Sequence, residues 1–220
     1  HQAWDNSSNY WNTTTIGNYW TDWDDNSGAP GNYSIDGGTA KDYEPRGLFV
    51  FSVGAGTDKW AYKYQVDARP PNACNVPGIE FNTTEYAAIK ADDSVFACNT
   101  TTTDGYYAAH RFNFSINSSI SASDISMINV TWNGRGWHDT AGNNGTYLYI
   151  WNGTAGAYEE LAHNDVGTED TLTGGVTSGI SNYINANNVT VLTEQKSAQD
   201  RGDASHIATD YIKLVITPAA

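Results

Sequence analysis

Ile125-Ser126-Met127-Ile128-Asn129-Val130-Thr131-Trp132 closes on a strict alternation of apolar and polar side chains. Successive side chains of an extended strand point to opposite faces, so Ile128, Val130 and Trp132 share one face while Asn129 and Thr131 share the other. Arg111-Phe112-Asn113-Phe114-Ser115-Ile116 repeats the pattern, with Phe112, Phe114 and Ile116 opposed by Asn113 and Ser115. Residues 60–66, WAYKYQV, set Trp60, Tyr62, Tyr64 and Val66 against Lys63 and Gln65, which reads as a half-buried antiparallel strand. Residues 47–53 (GLFVFSV) and 146–151 (TYLYIW) are apolar on both faces and are expected to be central or covered. Further strands are expected at 79–89, 157–163, 188–195 and 209–217, with one short helical turn at 180–186 (ISNYINA).

This recurrence of short strands bounded by turn residues over residues 47–220 predicts an all-β, antiparallel sandwich. Residues 1–46 lack such a period and are dense in turn pairs (Asn26-Ser27-Gly28, Pro30-Gly31, Asp36-Gly37-Gly38), so they read as an irregular N-terminal arm. The chain has 220 residues, with Lys+Arg 11 against Asp+Glu 25 and a net charge of -14. That charge repels phosphate backbones and argues against a nucleic-acid partner. Its polar residues are Asn, Thr, Ser and Gly rather than Lys and Glu, which disfavours long helices. No apolar run approaches the roughly 20 residues of a membrane-spanning helix.

Asn occurs 22 times and Ser and Thr together 40 times, which by chance gives about four Asn-x-Ser/Thr triplets. There are eleven, at Asn6, Asn12, Asn32, Asn82, Asn99, Asn113, Asn117, Asn129, Asn144, Asn152 and Asn188. Asn113 and Asn129 fall on the polar faces of their strands, where a glycan has room. The excess points to N-linked glycans and an extracellular, cell-surface location. Cys74 and Cys98 are the only cysteines, too few for a structural zinc site, and in a secreted chain they are expected to form one disulfide.

Trp4, Trp11, Tyr19, Trp20 and Trp23 crowd the arm with more ring surface than so short a segment hides by itself, which marks them as interface residues. Gly17-Asn18-Tyr19-Trp20, Asp22-Trp23, Tyr33, Ile35-Asp36-Gly37-Gly38, Asp42-Tyr43 and Pro45 resemble the closing segment of NosD-like right-handed parallel β-helix surface proteins of archaea and bacteria. That resemblance implies calcium in an Asp-rich stretch, here Asp22, Asp24 and Asn26. Leu148-Tyr149-Ile150-Trp151-Asn152, Tyr158-Glu159-Glu160-Leu161 and Thr209-Asp210-Tyr211 resemble the jelly-roll, galactose-binding-like sandwiches of archaeal cell-surface proteins, which implies a fold and a location.

No phosphate loop, nucleophile elbow or paired metal-ligand histidines occur in the sequence, so no enzyme is expected. His138-Asp139, in GRGWHDTAGNNG, reads as a loop contact. The expected function is a non-enzymatic structural glycoprotein, a self-associating subunit of a filament, sheath or surface layer joined through the arm or by strand addition. The alternative is a carbohydrate-binding or adhesive module using Trp132, Trp137 and Tyr106-Tyr107. A remote alternative is a copper-dependent polysaccharide mono-oxygenase with His1 chelating the metal and His110 or His138 completing the brace.

Overall fold

The computed structural model describes residues 33–34, 41–42, 47–51, 58–75, 78–116, 120–140 and 142–219. In chain order the elements are β1 (Tyr33–Ser34), β2 (Lys41–Asp42), β3 (Gly47–Val50), β4 (Lys59–Val66), β5 (Ile79–Glu80), α1 (Thr83–Ala88), β6 (Ala97–Thr101), β7 (Tyr107–Ser115), β8 (Ile125–His138), β9 (Thr146–Asn152), β10 (Ala157–Asn164), β11 (Asp170–Val176), β12 (Asn188–Gln195) and β13 (Ser205–Pro218). Among the described residues β1 and β2 form a two-stranded sheet of their own. The remaining strands form two antiparallel sheets, the first in the order β10-β9-β12-β7-β4-β5 and the second β11-β8-β13-β3, with β6 also on β13.

The pairing is nested. β9 pairs β10, β8 pairs β11, β7 pairs β12 and β6 pairs β13, each pair enclosing the one before it. A folded-over hairpin of this kind places β7-β12-β9-β10 in one sheet and β6-β13-β8-β11 in the other, which is the jelly-roll arrangement of a double sheet. β4 and β5 extend the first sheet, and β3 lies beside β13 in line with β6.

Between the sheets the alternation of 125–132 and 111–116 is realised as expected. Ile128, Val130, Trp132, Phe112 and Phe114 are fully buried and pack with Leu148, Ile150, Val189, Val191, Ile207 and Leu214. The one polar atom of Trp132 is satisfied, since its Nε1–H donates to Thr209 Oγ1 at 2.9 Å. β3 is an edge strand rather than a central one, yet Phe49 and the following Phe51 fill the core, Phe51 lying 5.6 Å from the Tyr86 ring and 6.0 Å from that of Phe114.

The first sheet also buries its outer face. Tyr64, Val66, Tyr149, Trp151, Tyr158 and Leu192 form a second apolar cluster there, which covers the two-faced strand β9. The loop after β4 lies on it: Arg69 stacks 4.5 Å from the Tyr147 ring, and the Tyr158 hydroxyl donates to Cys74 O at 2.9 Å. β4 therefore keeps its expected alternation with the sides reversed. Its register with β7 sets Tyr62 and Tyr64 opposite the outward Arg111 and Ala109, while Ala61 and Lys63 face inward beside Phe112 and His110.

Three further expectations are corrected. Residues 79–89 are not one strand, because a capping box interrupts them: Asn82 Oδ1 accepts from Thr84 N and Glu85 N at 2.9 and 3.0 Å, and Glu85 Oε2 accepts from Asn82 N. GRGWH is not a loop but the last third of β8. Cys74 and Cys98 are free thiols. Cys74 packs on the outer face of the first sheet, whereas Cys98 pairs with Ala208 and points outward from the second, so the whole sandwich separates them and no disulfide joins them.

Trp4, Trp11, Tyr19, Trp20, Trp23, His1, Asp22, Asp24, Asn26, Asn6, Asn12, Asn32 and Asn117 lie outside the described residues, as does most of the NosD-like segment. Among the described residues no helix is long and apolar enough to cross a membrane.

Candidate functional site

Gly134-Arg135-Gly136-Trp137 decides what the outer face of the second sheet presents. A Cβ on Gly134 would lie 2.2 Å from Ala208 O and 2.4 Å from the Trp132 ring; one on Gly136 would lie 2.3 Å from Gly145 O. Only glycine fits the inward positions, and the pleat then turns Arg135 and Trp137 outward. Their partners across β13 are Ala208 and His206, which share that face.

Trp137 and His206 stack with centroids 4.6 Å apart and planes 1° from parallel. His206 is held on both nitrogens, Nδ1 with Thr100 Oγ1 at 2.9 Å and Nε2 with Asp139 Oδ1 at 3.1 Å. Asp139 in turn accepts from Ala204 N, and that bond, reinforced by His206, holds its carboxyl below the usual range. The Arg135 guanidinium lies 4.8 Å from the Trp137 ring and 5.0 Å from that of Phe96. Its Nε is buried without a hydrogen-bond partner.

Arg135, Trp137, His138, Asn144, Gly167 and Thr168 line a cavity of about 460 Å³. Asn144 Oδ1 accepts from His138 N at 3.0 Å, so its amide NH2 is the group it can offer a ligand. His138 Nδ1 accepts from Thr140 N, which makes Nε2 the protonated nitrogen, donating to Ala198 O at 3.0 Å. With both nitrogens committed, His138 orders the loop, as the sequence suggests. His110 is wholly buried, its Nδ1 at 2.9 Å from Thr209 Oγ1, and burial drives its pKa down to about 3. His138 has both nitrogens committed and His110 is wholly buried, so neither presents a ring nitrogen at the surface for a copper brace.

Of the aromatics expected at a sugar site, Trp137 is half-exposed and lines the cavity, whereas Trp132 is core. Tyr107 lies on the other sheet beneath Arg69. Arg135 and Phe96 were missed; the signal was the alternation of GRGW, which carries the β8 pattern five residues past Trp132.

Next along the same face, Asp92, Glu169 and Asp210 bring carboxylate oxygens within 4.8 Å of one another, the group among the described residues that could hold a cation. Asp210 sits at a bulge of β13, fully buried, and accepts from the amides of Asp93, Ser94 and Val95. Ser94 adopts a left-handed conformation (φ 63) that helps turn these amides onto one carboxylate. Burial is the main cause that raises the Asp210 pKa. Sequence reasoning missed this group because its members lie 41 to 118 residues apart.

The described sequons divide by geometry. Asn82 is exposed, and Asn113 and Asn129 are half-buried on outward faces. Asn99 is spent between the sheets, its Nδ2 donating to Tyr64 O and Ala109 O. Asn152 closes the β9–β10 turn, with Nδ2 on Glu159 and Oδ1 accepting from Thr154 N and Ala155 N. Asn188 Nδ2 donates to Ala186 O, and Asn144 lines the cavity. A glycan attaches through Nδ2, the atom that Asn99, Asn152 and Asn188 engage in hydrogen bonds in the folded chain.

The family model AF_1625_C, described as "Uncharacterized protein, C-terminal domain", matches residues 56–218. No curated protein matches the chain. Among solved structures, a xylan-binding module CBM15 superposes with a TM-score of 0.42 at 11% identity, over 80% of this chain and 99% of that one. The N-terminal CBM22-1–CBM22-2 tandem domain of Paenibacillus barcinonensis Xyn10C gives 0.29 at 11% identity, over 58% and 40%. The Stig cyclase Fisc of Fischerella sp. TAU gives 0.32 at 9% identity, over 79% and 90%. At these scores none of the three carries an argument about function.

Proposed function

We propose that this chain, which belongs to the AF_1625_C family, is a non-enzymatic glycan-binding module of an extracellular surface protein. The observation that carries the reading is Trp137, half-exposed and braced by His206 and Arg135, lining a cavity of about 460 Å³ with an amide, a hydroxyl and a guanidinium around it. A rigid ring with a few convergent polar groups suits a polyhydroxylated ligand, whose C–H groups contact the part of the indole that His206 and Arg135 leave open while its hydroxyls take the hydrogen bonds. His138, the lining group with acid–base chemistry, has both nitrogens committed, which favours binding without turnover.

A glycan array probed with the full chain tests this. The expected result is retention on a subset of glycans that falls at least tenfold in Trp137→Ala and recovers in part in Trp137→Phe. Wild-type protein that binds nothing on the array refutes it.

A second reading, a subunit of a surface polymer, rests on β3. Phe49 and Phe51 lie ahead of the matched residues 56–218 and complete the core through β3, which joins the second sheet at its edge. The same strand given to a neighbouring copy would link subunits. Electron microscopy of native material would show polymers if so, and uniform monomers would exclude it. Under either reading Asn82, Asn113 and Asn129 carry N-linked glycans, which intact mass would reveal as an excess over 23.9 kDa.

A further inference from the structure

We infer that the Trp137 cavity selects acidic sugars, with Arg135 receiving the carboxylate of a uronate unit. The inference rests on the glycan-binding reading and narrows it to one ligand class. Arg135 makes no ion pair within 4 Å among the described residues, and its Nε–H is buried without an acceptor. An unpaired guanidinium is unexpected in a chain with Asp+Glu 25 and a net charge of -14, where acids to pair with abound.

The nearest acid in sequence to the lining loop, Glu169, is drawn away. Its carboxylate belongs to the group with Asp92 and Asp210 and accepts from Ser94 Oγ at 3.0 Å. Asp139, on the far side of Trp137, is taken by His206 and Ala204 N. Phe96 and Trp137, each within 5.0 Å of the guanidinium, hold it in place. A guanidinium fixed in this way, its N–H groups unpaired among the described residues, is matched by a planar carboxylate, which takes two parallel N–H···O bonds. Asn144 NH2 and the Thr168 hydroxyl line the same cavity and are placed to serve the neighbouring hydroxyls.

The net charge of the chain opposes a polyanion from afar. At physiological ionic strength the screening length is about 8 Å, so distant acids are muted, while the neighbouring Asp92, Glu169 and Asp210 group opposes the ligand's charge and the direct guanidinium contact has to outweigh it. Local pairing decides the outcome.

Isothermal titration of the full chain at that ionic strength, with oligogalacturonate and with its methyl ester, tests the inference. The ester keeps every hydroxyl and loses the charge. The expected result is binding of the acid at least tenfold tighter than the ester, with the difference abolished in Arg135→Met, which keeps apolar contact with Phe96 and Trp137, and partly kept in Arg135→Lys. Equal binding of acid and ester, or acid binding unchanged in Arg135→Met, overturns the choice of acidic sugar and leaves glycan binding standing. No binding to either, together with a silent array, overturns both.

Discussion

Glu194 shows what a single residue on the outer face of the first sheet does to the whole. It points outward from β12 between Ala109 and Tyr147, is fully buried, and neither carboxylate oxygen has a hydrogen-bond partner. Burial raises its pKa well above the ordinary 4.5, with the positive charge of Arg69 acting in the opposite sense. The folded chain then holds a proton that the unfolded chain has released, so this contribution is full below pH 4.5 and is lost as pH rises toward the raised value. His110 acts oppositely: its folded pKa of about 3 against 6.5 removes stability as pH falls below 6.5. Urea unfolding should therefore show Glu194→Gln gaining on the wild type by up to about 1.4 kcal/mol per pH unit above pH 4.5, until the folded pKa is reached. A gap between the two proteins that does not change with pH would contradict this account. Gly134→Ala forces a Cβ against Ala208 O and the Trp132 ring and should destabilise by roughly 3 kcal/mol in the same measurement. The sequence made the glycines of GRGW visible as turn signals; what it could not show is that the core behind them leaves no space for a side chain.

At the scale of elements, periodicity located strands better than it located their surroundings. β7, β10 and β12 lie where the sequence placed them and β8 begins there but runs on to His138, each having a polar side to mark its period, whereas β9 was located as a run apolar on both faces. β6 (ACNTT) and β11 (DTLTGGV) escaped, being short edge strands with too few apolar residues to show one. β4 alternates as read, but rings on one side of a strand need not face the core when a loop and a second cluster cover the other side of the sheet. The helix at Thr83–Ala88 was legible in Asn82 and Glu85, the two ends of its capping box. Asn82→Ala should lower stability by about 1 kcal/mol. Phe51→Ala should lower it by about 3 to 5 kcal/mol, since the ring packs on Tyr86, Phe112 and Phe114. Thermal unfolding reads both. A negligible effect of Phe51→Ala would mean that β3 is not part of the folding core.

For the molecule as a whole, the antiparallel sandwich was legible and its nesting was not. Alternation tells which residues share a face, whereas the order β11-β8-β13-β3 follows from which strands meet after long connections. The site suffered in the same way. Trp137 could be singled out in sequence, but its setting joins Phe96, Arg135, Asn144, Thr168 and His206 from five separate stretches of chain. The second sheet brings them together, and the large negative charge that excludes nucleic acid leaves Arg135 as a local exception on that face. The central claim is that glycan is held at this half-exposed indole and not elsewhere. Following the indole N–H resonances of the 15N-labelled full chain during titration with a glycan retained on the array tests it most directly. Trp137 should shift progressively to saturation while the buried Trp132 and Trp151 stay fixed; saturable binding that leaves Trp137 unmoved would contradict the claim.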